Sequence, residues 1–456
     1  VVLGARSVTT VQVQCPESTG WEPAVPDAVE GSDINIAEGS RVNIAEGSGV
    51  DIDAVCRAIE ERESDWIALR REFHRYPELM YEVDRTAARV AELLRAYGLE
   101  VRDGVGKHFG KGVVGLLRGG RPGRTILLRA DMDALPIRET EAREYRSEIE
   151  GAMHACGHDA HTAMLLAAAY GLSRVRDRLA GTVKFVFQPA EEGAAPSPVD
   201  GELRSGGRDL VESGTADDAD AAFALHVWPE LPTGTLAIHR RASMAASSHF
   251  RVAFRGRSGH HGSPHLAADA LLMAAHFAVE VHSAVAVASD PLEPVAFAFG
   301  KLQAGTAGNV IADTAEVLGT YRAFSDDAVR RIRSVLERCA AACADRFGGS
   351  CELSFRMGKA LINDAAAVGF ARRAGAAAFG AEQVRLLDQP SLAGEDFAYY
   401  LDKAPGAMLL LGVRDEARGI VHPLHHPSFE VDERAIALGA KLHARLAAAF
   451  LARGFE

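Results

Sequence analysis

The sequence predicts an α/β protein whose main domain is a mainly parallel sheet covered by helices, interrupted by an inserted ferredoxin-like domain. Three observations lead there. Four uninterrupted apolar runs read as strands buried on both faces. Helical patterns lie between them, and strands alternating with helices build a parallel sheet. A βαββαβ string sits inside that alternation, and 456 residues are too many for one small core.

Residues 1–50 differ from the rest in being rich in Gly, Ser and acidic side chains, with NIAEGS at 35–40 and again at 43–48. Two copies of so short a unit cannot stack into a solenoid, so a flexible extension is expected. From Val55 to Ala96 the pattern is helical, broken at Tyr76–Pro77. The buried strands are TILLRA (125–130), TVKFVFQ (182–188), AAFALHV (221–227) and AMLLLGV (407–413). Helices are expected over Ala163–Leu179 and Glu433–Arg453, the latter with Leu438, Leu442 and Leu446 at helical spacing.

Residues 248–357 follow a different rule. SHFRVAFRG puts Phe250, Val252 and Phe254 on one face. A helix over Ala267–Val285, strands PVAFAFGKL and AEVLGTYRAF, a helix over Asp327–Phe347 and strand CELSFRM complete the string. The expected division is therefore 51–243 with 356–456 as the main domain and 244–355 as the insertion.

Net charge is −12 and no basic cluster stands out, which argues against a nucleic-acid partner. No window approaches 18 uninterrupted apolar residues, so no membrane span is expected. The opening VVLGARSVTTVQVQ lacks the basic segment and long apolar core of a secretory signal. The six cysteines show no framework spacing and read as reduced thiols of a cytoplasmic protein.

Chemistry gathers where strands end. TILLRA runs into Asp131-Met132-Asp133, TVKFVFQ-Pro-Ala into Glu191-Glu192, and AAFAL into His226. Open α/β sheets place their ligands beyond the carboxyl ends of the strands. In MHACGHDAHTAMLLAAA, Cys156 and His158 are two apart and cannot face one way within a regular helix. They predict a turn entering a helix, with Asp159 as its cap and His161 on the first turn. Thiolate and imidazole together suit Zn²⁺ or Mn²⁺ better than Mg²⁺ or Ca²⁺. A buried structural cysteine beside a surface histidine is the plainer explanation of this motif standing alone.

Glu191 and Glu192 are adjacent, so their side chains diverge: one can hold a metal while the other faces a water. A solvated acidic turn is the alternative, and the preceding apolar strand and Pro189 weigh against it. His425 and His426 in PLHHPSF also point apart, leaving one at most as a ligand. His260, His261 and His265 lie in the Gly-containing loop GRSGHHGSPH, expected to bind substrate or cap a helix. His74, His276, His282 and His443 are expected to be solvated or partly buried helix residues.

Taken together, RADMDALPI, MHACGHDAHTAMLL, FQPAEEG, LHVWPELPTG, GRSGHHGSPH, AGTAGNVIAD, GTYR, GEDFAYY and PLHHPSF resemble the M20 metallopeptidase superfamily over residues 64–450. The resemblance is strongest to its amidohydrolase branch of hippurate hydrolases, N-acyl-amino-acid aminoacylases and auxin-conjugate hydrolases. It implies metal ligation by Cys156, His158, Glu192, His226 and His425, with His158 bridging two ions and Glu191 as general base. It implies one or two divalent ions per subunit, Mn²⁺ or Zn²⁺. It also implies that the insertion is a lid and homodimerisation domain whose His260 polarises the scissile carbonyl, in related enzymes often across the dimer. Asn309 and Arg322 occupy substrate-holding positions. Other branches carry His-x-Asp where this chain has Asp131-Met132-Asp133, so Asp133 is expected behind the ligands rather than on the metal. The implied activity is hydrolysis of the amide bond of an N-acyl amino acid or similar carboxylate-bearing conjugate. A dipeptidase or carboxypeptidase is the alternative, and a non-catalytic binding protein on the same fold is a third reading. The presence of Glu191 and of every ligand speaks against the third.

Overall fold

Strands in the computed structural model, which describes residues 50–456, fall into two separate major sheets. The extension expected over residues 1–50 lies, apart from Val50, outside the described residues. Counting strands of four residues or more, the chain runs α1 (Ile52–Glu60), α2 (Glu63–Arg75), α3 (Asp84–Ala96), β1 (Glu100–Val105), β2 (Gly112–Arg118), β3 (Arg121–Asp131), α4 (His158–Ser173), β4 (Ala180–Gln188), α5 (Gly206–Glu212), β5 (Ala221–Pro232) and β6 (Leu236–His239). It continues β7 (Ala246–Arg255), α6 (Ala270–Ala288), β8 (Val295–Ala304), β9 (Thr314–Ala323), α7 (Asp326–Arg346) and β10 (Ser350–Arg356). It closes with α8 (Ala365–Phe379), β11 (Val384–Leu387), β12 (Gly406–Arg414) and α9 (Arg434–Arg453).

The large sheet has the order β1-β2-β4-β3-β5-β12-β6-β11. Its central strands β4, β3, β5 and β12 are mutually parallel, and β1 and β2 extend it antiparallel. Burial on both faces explains the unbroken apolar runs. Ile126, Leu128 and Ala130 of β3 pack into a core with Ala163 and Leu166 of α4 and Leu442 and Leu446 of α9. Leu127 points the other way, toward Leu210 of α5, Phe397 and Tyr400.

The second sheet, β8-β9-β7-β10, is antiparallel throughout, and its βαββαβ order is the ferredoxin-like arrangement. Phe250, Val252 and Phe254 of β7 meet Phe277 and Val281 of α6 and Ile332 and Leu336 of α7 in a core of their own. By length and composition alone, α6 and α9 could each cross a membrane. Here α9 is largely buried in the main core, and α6 packs one face on the second sheet.

Beneath the large sheet's ligand edge lies a buried ionic cluster. The guanidinium of Arg70 on α2 meets Asp159 at 2.7 Å, Glu430 at 2.9 Å and Glu433 at 3.5 Å. His74 adds a bond from Nδ1 to Asp159 at 2.8 Å. Asp159 is therefore not the cap of α4, since the N-cap is Gly157 and no side chain caps the helix. Nor are His74 and His443 solvated: both are buried, His74 because the cluster supplies its partners. His276 and His282 are exposed as expected.

Candidate metal centre and active-site cleft

β3 and β4 end side by side, Asp131 opposite Gln188, so the turns that follow deliver Asp133 and Glu191–Glu192 to one edge. Asp133 locks the second turn: its Oδ1 accepts from the Glu191 N–H at 2.9 Å and its Oδ2 from the Glu192 N–H at 3.2 Å. Both glutamate backbones are thus set by one carboxylate, and a carboxylate oxygen of each lies within 4.8 Å of the other and of a His158 ring nitrogen. Cys156 and His158 flank Gly157, whose φ of 86° suits glycine and whose added Cβ would sit 2.4 Å from Val227 Cγ2.

His158 and His226, both buried, each have their tautomer set by a carbonyl. His158 Nδ1 donates to the Asp133 carbonyl at 2.7 Å, and His226 Nδ1 to the Val227 carbonyl at 2.7 Å. His158 Nε2 has no hydrogen-bond partner, and His226 Nε2 faces the Cys156 sulfur. His226 is not at a strand end as expected. β5 runs on to Pro232 because β12 keeps pairing with it after its pairing with β3 has ended at Ala224. His425 has a left-handed backbone (φ 63°) and is pinned by its N–H to the Ala155 carbonyl at 2.8 Å. His426 turns aside and accepts from the Ser428 N–H.

The donor atoms converge. Cys156 Sγ lies 3.5 Å from His226 Nε2, Glu192 Oε1 is 3.8 Å from His158 Nε2, and it is 3.5 Å from His425 Nε2. Donors sharing one four-coordinate Zn²⁺-like ion stand about 3.3–3.8 Å apart. The buried His158 Nε2 and Glu192 Oε1 have no hydrogen-bond partner, which is what atoms reserved for a cation look like. Electrostatics agree. Burial disfavours an imidazolium, yet Asp131, Asp133 and Glu192 push His158 up to about 10, so the surrounding carboxylates call for positive charge at Nε2. Burial, Glu192 and Glu191 push the Cys156 thiol well up, so a thiolate there needs a cation beside it. Burial and His161 hold His226 neutral, the form that ligates.

Among the described residues Cys156 belongs to two donor sets, Cys156–His158–His226 and Cys156–Glu192–His425, and His158 belongs to the first of these and to His158–Glu191–Glu192. With Nδ1 committed to a carbonyl, His158 offers one lone pair, whereas a thiolate can serve two ions.

His161 and Asp131 form a third cluster with His158 but are already occupied. The Val227 N–H donates to His161 Nε2 at 2.9 Å, and His161 Nδ1 donates to Asp131 at 2.6 Å. Behind Glu191 stand Glu395 and Asp396, whose importance the sequence reading missed although both lie in GEDFAYY. Buried Arg129 answers them, with Nη2 at 3.1 Å from Glu395 and 3.0 Å from Asp396, and Nη1 at 2.7 Å from Asp131. Burial, Glu395, Glu192 and Asp396 raise the Glu191 carboxyl well above its ordinary value.

A cleft of about 390 Å³ opens from these residues toward the second sheet, bordered by Cys156, Glu191, Glu192, His226, His425 and Arg322 among others. His260 and Asn309 are not among its lining residues. His260 lies on a short ribbon pairing Gly259–His260 with Val310–Ile311, Asn309 directly precedes its second strand, and both are exposed.

Known proteins share this framework. Residues 127–449 match the model of peptidase family M20/M25/M40. The chain is 36% identical over 389 residues to thermostable carboxypeptidase 1 of Saccharolobus solfataricus, covering 85% of this chain and 95% of that protein. It is 36% identical over 380 residues to the N-acetyl-L-cysteine deacetylase of Bacillus subtilis, covering 82% and 85%. Among solved structures, the Bacillus subtilis YXEP protein, described as a dinuclear metal-binding peptidase of the M20 family, superposes with a TM-score of 0.70 at 30% identity, over 86% of this chain and 99% of that one. A thiolate, imidazoles and a carboxylate converging on a cation position at the edge of an α/β sheet thus have their counterpart in sequence, and the chain belongs to the M20 family of metal-dependent hydrolases.

Proposed function

We propose that the protein hydrolyses the amide bond of an N-acyl amino acid or a similar carboxylate-bearing conjugate. The observation that carries this reading is the paired arrangement of Glu191 and Glu192. One carboxylate faces the donor set, and the other stands beside it in the cleft with its proton affinity raised. Cys156, His158, Glu192, His226 and His425 would hold one or two divalent ions, Mn²⁺ or Zn²⁺. Bound there, such an ion acidifies water and polarises a carbonyl. Glu191 takes the proton of the attacking water and returns it to the leaving amine, a role its raised proton affinity suits. Asp133 keeps both glutamates aimed.

The second sheet serves as lid and dimerisation domain over residues 244–355, with the main domain in 51–243 and 356–456. His260 accepts from the Gly262 N–H at Nδ1, so the neutral ring carries its proton on Nε2, ready to donate to a carbonyl oxygen. Since His260 and Asn309 do not border the cleft of their own chain, they serve a partner's. Support for a homodimer through the lid comes from the outer face of α6, where Val279 and Val287 are 73% and 88% exposed, and from the open edge of β8. The free thiols of Cys56, Cys156, Cys339, Cys343 and Cys351 support a reducing, cytoplasmic setting.

The carboxypeptidase among the relatives keeps a second reading in view, cleavage of a small peptide by the same groups. A panel of N-acetyl and N-benzoyl amino acids and dipeptides, assayed for released amine with Mn²⁺, Zn²⁺ and Co²⁺, decides between them. Turnover of the N-acyl compounds that disappears on chelation is expected. Turnover of dipeptides alone selects the second reading, and unchanged activity after exhaustive chelation rejects both.

A further inference from the structure

The open face of the second sheet, turned away from α6 and α7, borders the cleft with Ser247, His249, Arg322 and Arg356. Ser247 is paired with Arg322 of β9, and His249 with Arg356 of β10. Residues 247 and 249 point to one side of β7, so both guanidiniums stand on that same face, flanking the strand. The two charges feel each other. Burial and then Arg356 lower Arg322 from its ordinary value, and burial, Arg356 and Arg322 lower His249 between them.

Neither guanidinium is compensated. Among the described residues Arg322 donates only to the Tyr321 carbonyl at 3.2 Å, and no carboxylate lies within ion-pair distance of either arginine. The other cations of the same cleft are paired, Arg208 with Glu212 at 2.7 Å and Glu202 at 3.0 Å, and Lys359 with Asp326 at 2.7 Å and Asp402 at 3.0 Å. The cleft is therefore polarised, with acidic Glu191, Glu192, Glu395 and Asp396 at one end and two uncompensated, half-buried arginines at the other. Two adjacent like charges out of bulk water are unfavourable unless a ligand supplies the counter-charge.

We infer that Arg322 and Arg356 together select an amino-acid moiety with a second carboxylate, an N-acyl aspartate or glutamate. Arg322 takes the α-carboxylate and Arg356 the side-chain carboxylate. The inference rests on the amide-hydrolysis reading above. The α- and side-chain carboxylates of such a residue lie close together on one side of the scissile bond, matching neighbouring guanidiniums on one wall. A dicarboxylic acyl group would put its second charge across that bond.

The test compares kcat/KM for N-acetyl-L-glutamate and N-acetyl-L-glutamine, alike in shape and different by one charge, with N-succinyl-L-alanine as the arm charged on the acyl side. A charge-assisted bidentate contact implies a Glu/Gln preference of about tenfold or more in the native enzyme. The ratio falls toward one in Arg356→Gln and is partly restored in Arg356→Lys, which keeps the charge but loses the two-pronged contact, with thermal unfolding of both variants reporting that the fold is kept. A native ratio near one, or a ratio that Arg356→Gln does not move, overturns the inference while leaving amide hydrolysis standing. Preference for the succinyl compound over both acetyl compounds also overturns it, by moving the second charge to the acyl side. If no N-acyl amino acid is cleaved, the parent reading fails and the inference falls with it.

Discussion

His158 and His226 are buried, each with Nδ1 committed to a backbone carbonyl, whereas His260 is exposed on a two-residue ribbon with one local bond to Gly262. Both regions carry histidines beside glycines, but they differ in how much of their surroundings the chain itself supplies. The metal edge is assembled from the ends of β3 and β4, the body of β5 and the start of α4, with Asp133 and Arg129 fixing what lies between. Its geometry is complete within one subunit. The ribbon of His260 and Asn309 presents its side chains to solvent, so any chemical part it plays depends on a surface brought to it. Side chains that must be exact to a fraction of an ångström sit on rigid elements, whereas His260 and Asn309 sit on a projecting, exposed loop.

The sharpest way to break this comparison is at the metal edge. Glu191→Gln is expected to keep its metal and lose about 10²- to 10⁴-fold in kcat, the usual worth of a general base. Glu192→Gln should instead lose metal affinity, as metal analysis alongside kinetics would show. Identical behaviour of the two variants would mean that the glutamates do not divide the work.

At the ribbon, His260→Ala should leave folding and metal content intact and reduce kcat by about 10²- to 10³-fold, as for loss of one oxyanion donor. Mixing it with Glu191→Gln subunits tests the partner's part. Random pairing should restore about one quarter of the native activity, because one site of each mixed dimer then holds both residues. No restoration would place His260 at the cleft of its own chain.

A smaller effect is expected one layer back. Asp133→Asn replaces a carboxylate that accepts from two N–H groups with an amide that can accept well from only one side. Metal affinity should fall about 10- to 100-fold, the range for groups that orient ligands. Titration of the metal-free variant measures it, and an unchanged affinity would show that the backbone turn holds itself.

How much of this could be read beforehand depended on distance along the chain. Strands buried on both faces announce themselves locally, and so did the antiparallel alternation Phe250–Val252–Phe254. CGHD and EEG were legible because adjacent residues at strand ends must diverge or turn. Asp159 was misjudged as a cap because its partner His74 lies 85 positions away. Arg129 and Asp396, 267 positions apart, escaped notice for the same reason. The place of Cys156 in both donor sets could not be seen either, since it depends on where His226 and His425 return in space.

Three residues other than glycine have left-handed backbones among those described: Met80, Ala190 and His425. They are neighbours in function as well as in conformation. The Ala190 N–H bonds the Met80 carbonyl, Ala190 precedes Glu191, and His425 is itself a donor. Each such residue costs on the order of 1 kcal/mol or more relative to an unstrained turn. A chain shaped only for durability would carry glycine at all three. Their presence stores backbone strain in the segments that carry the donors, held there by the hydrogen bonds around them.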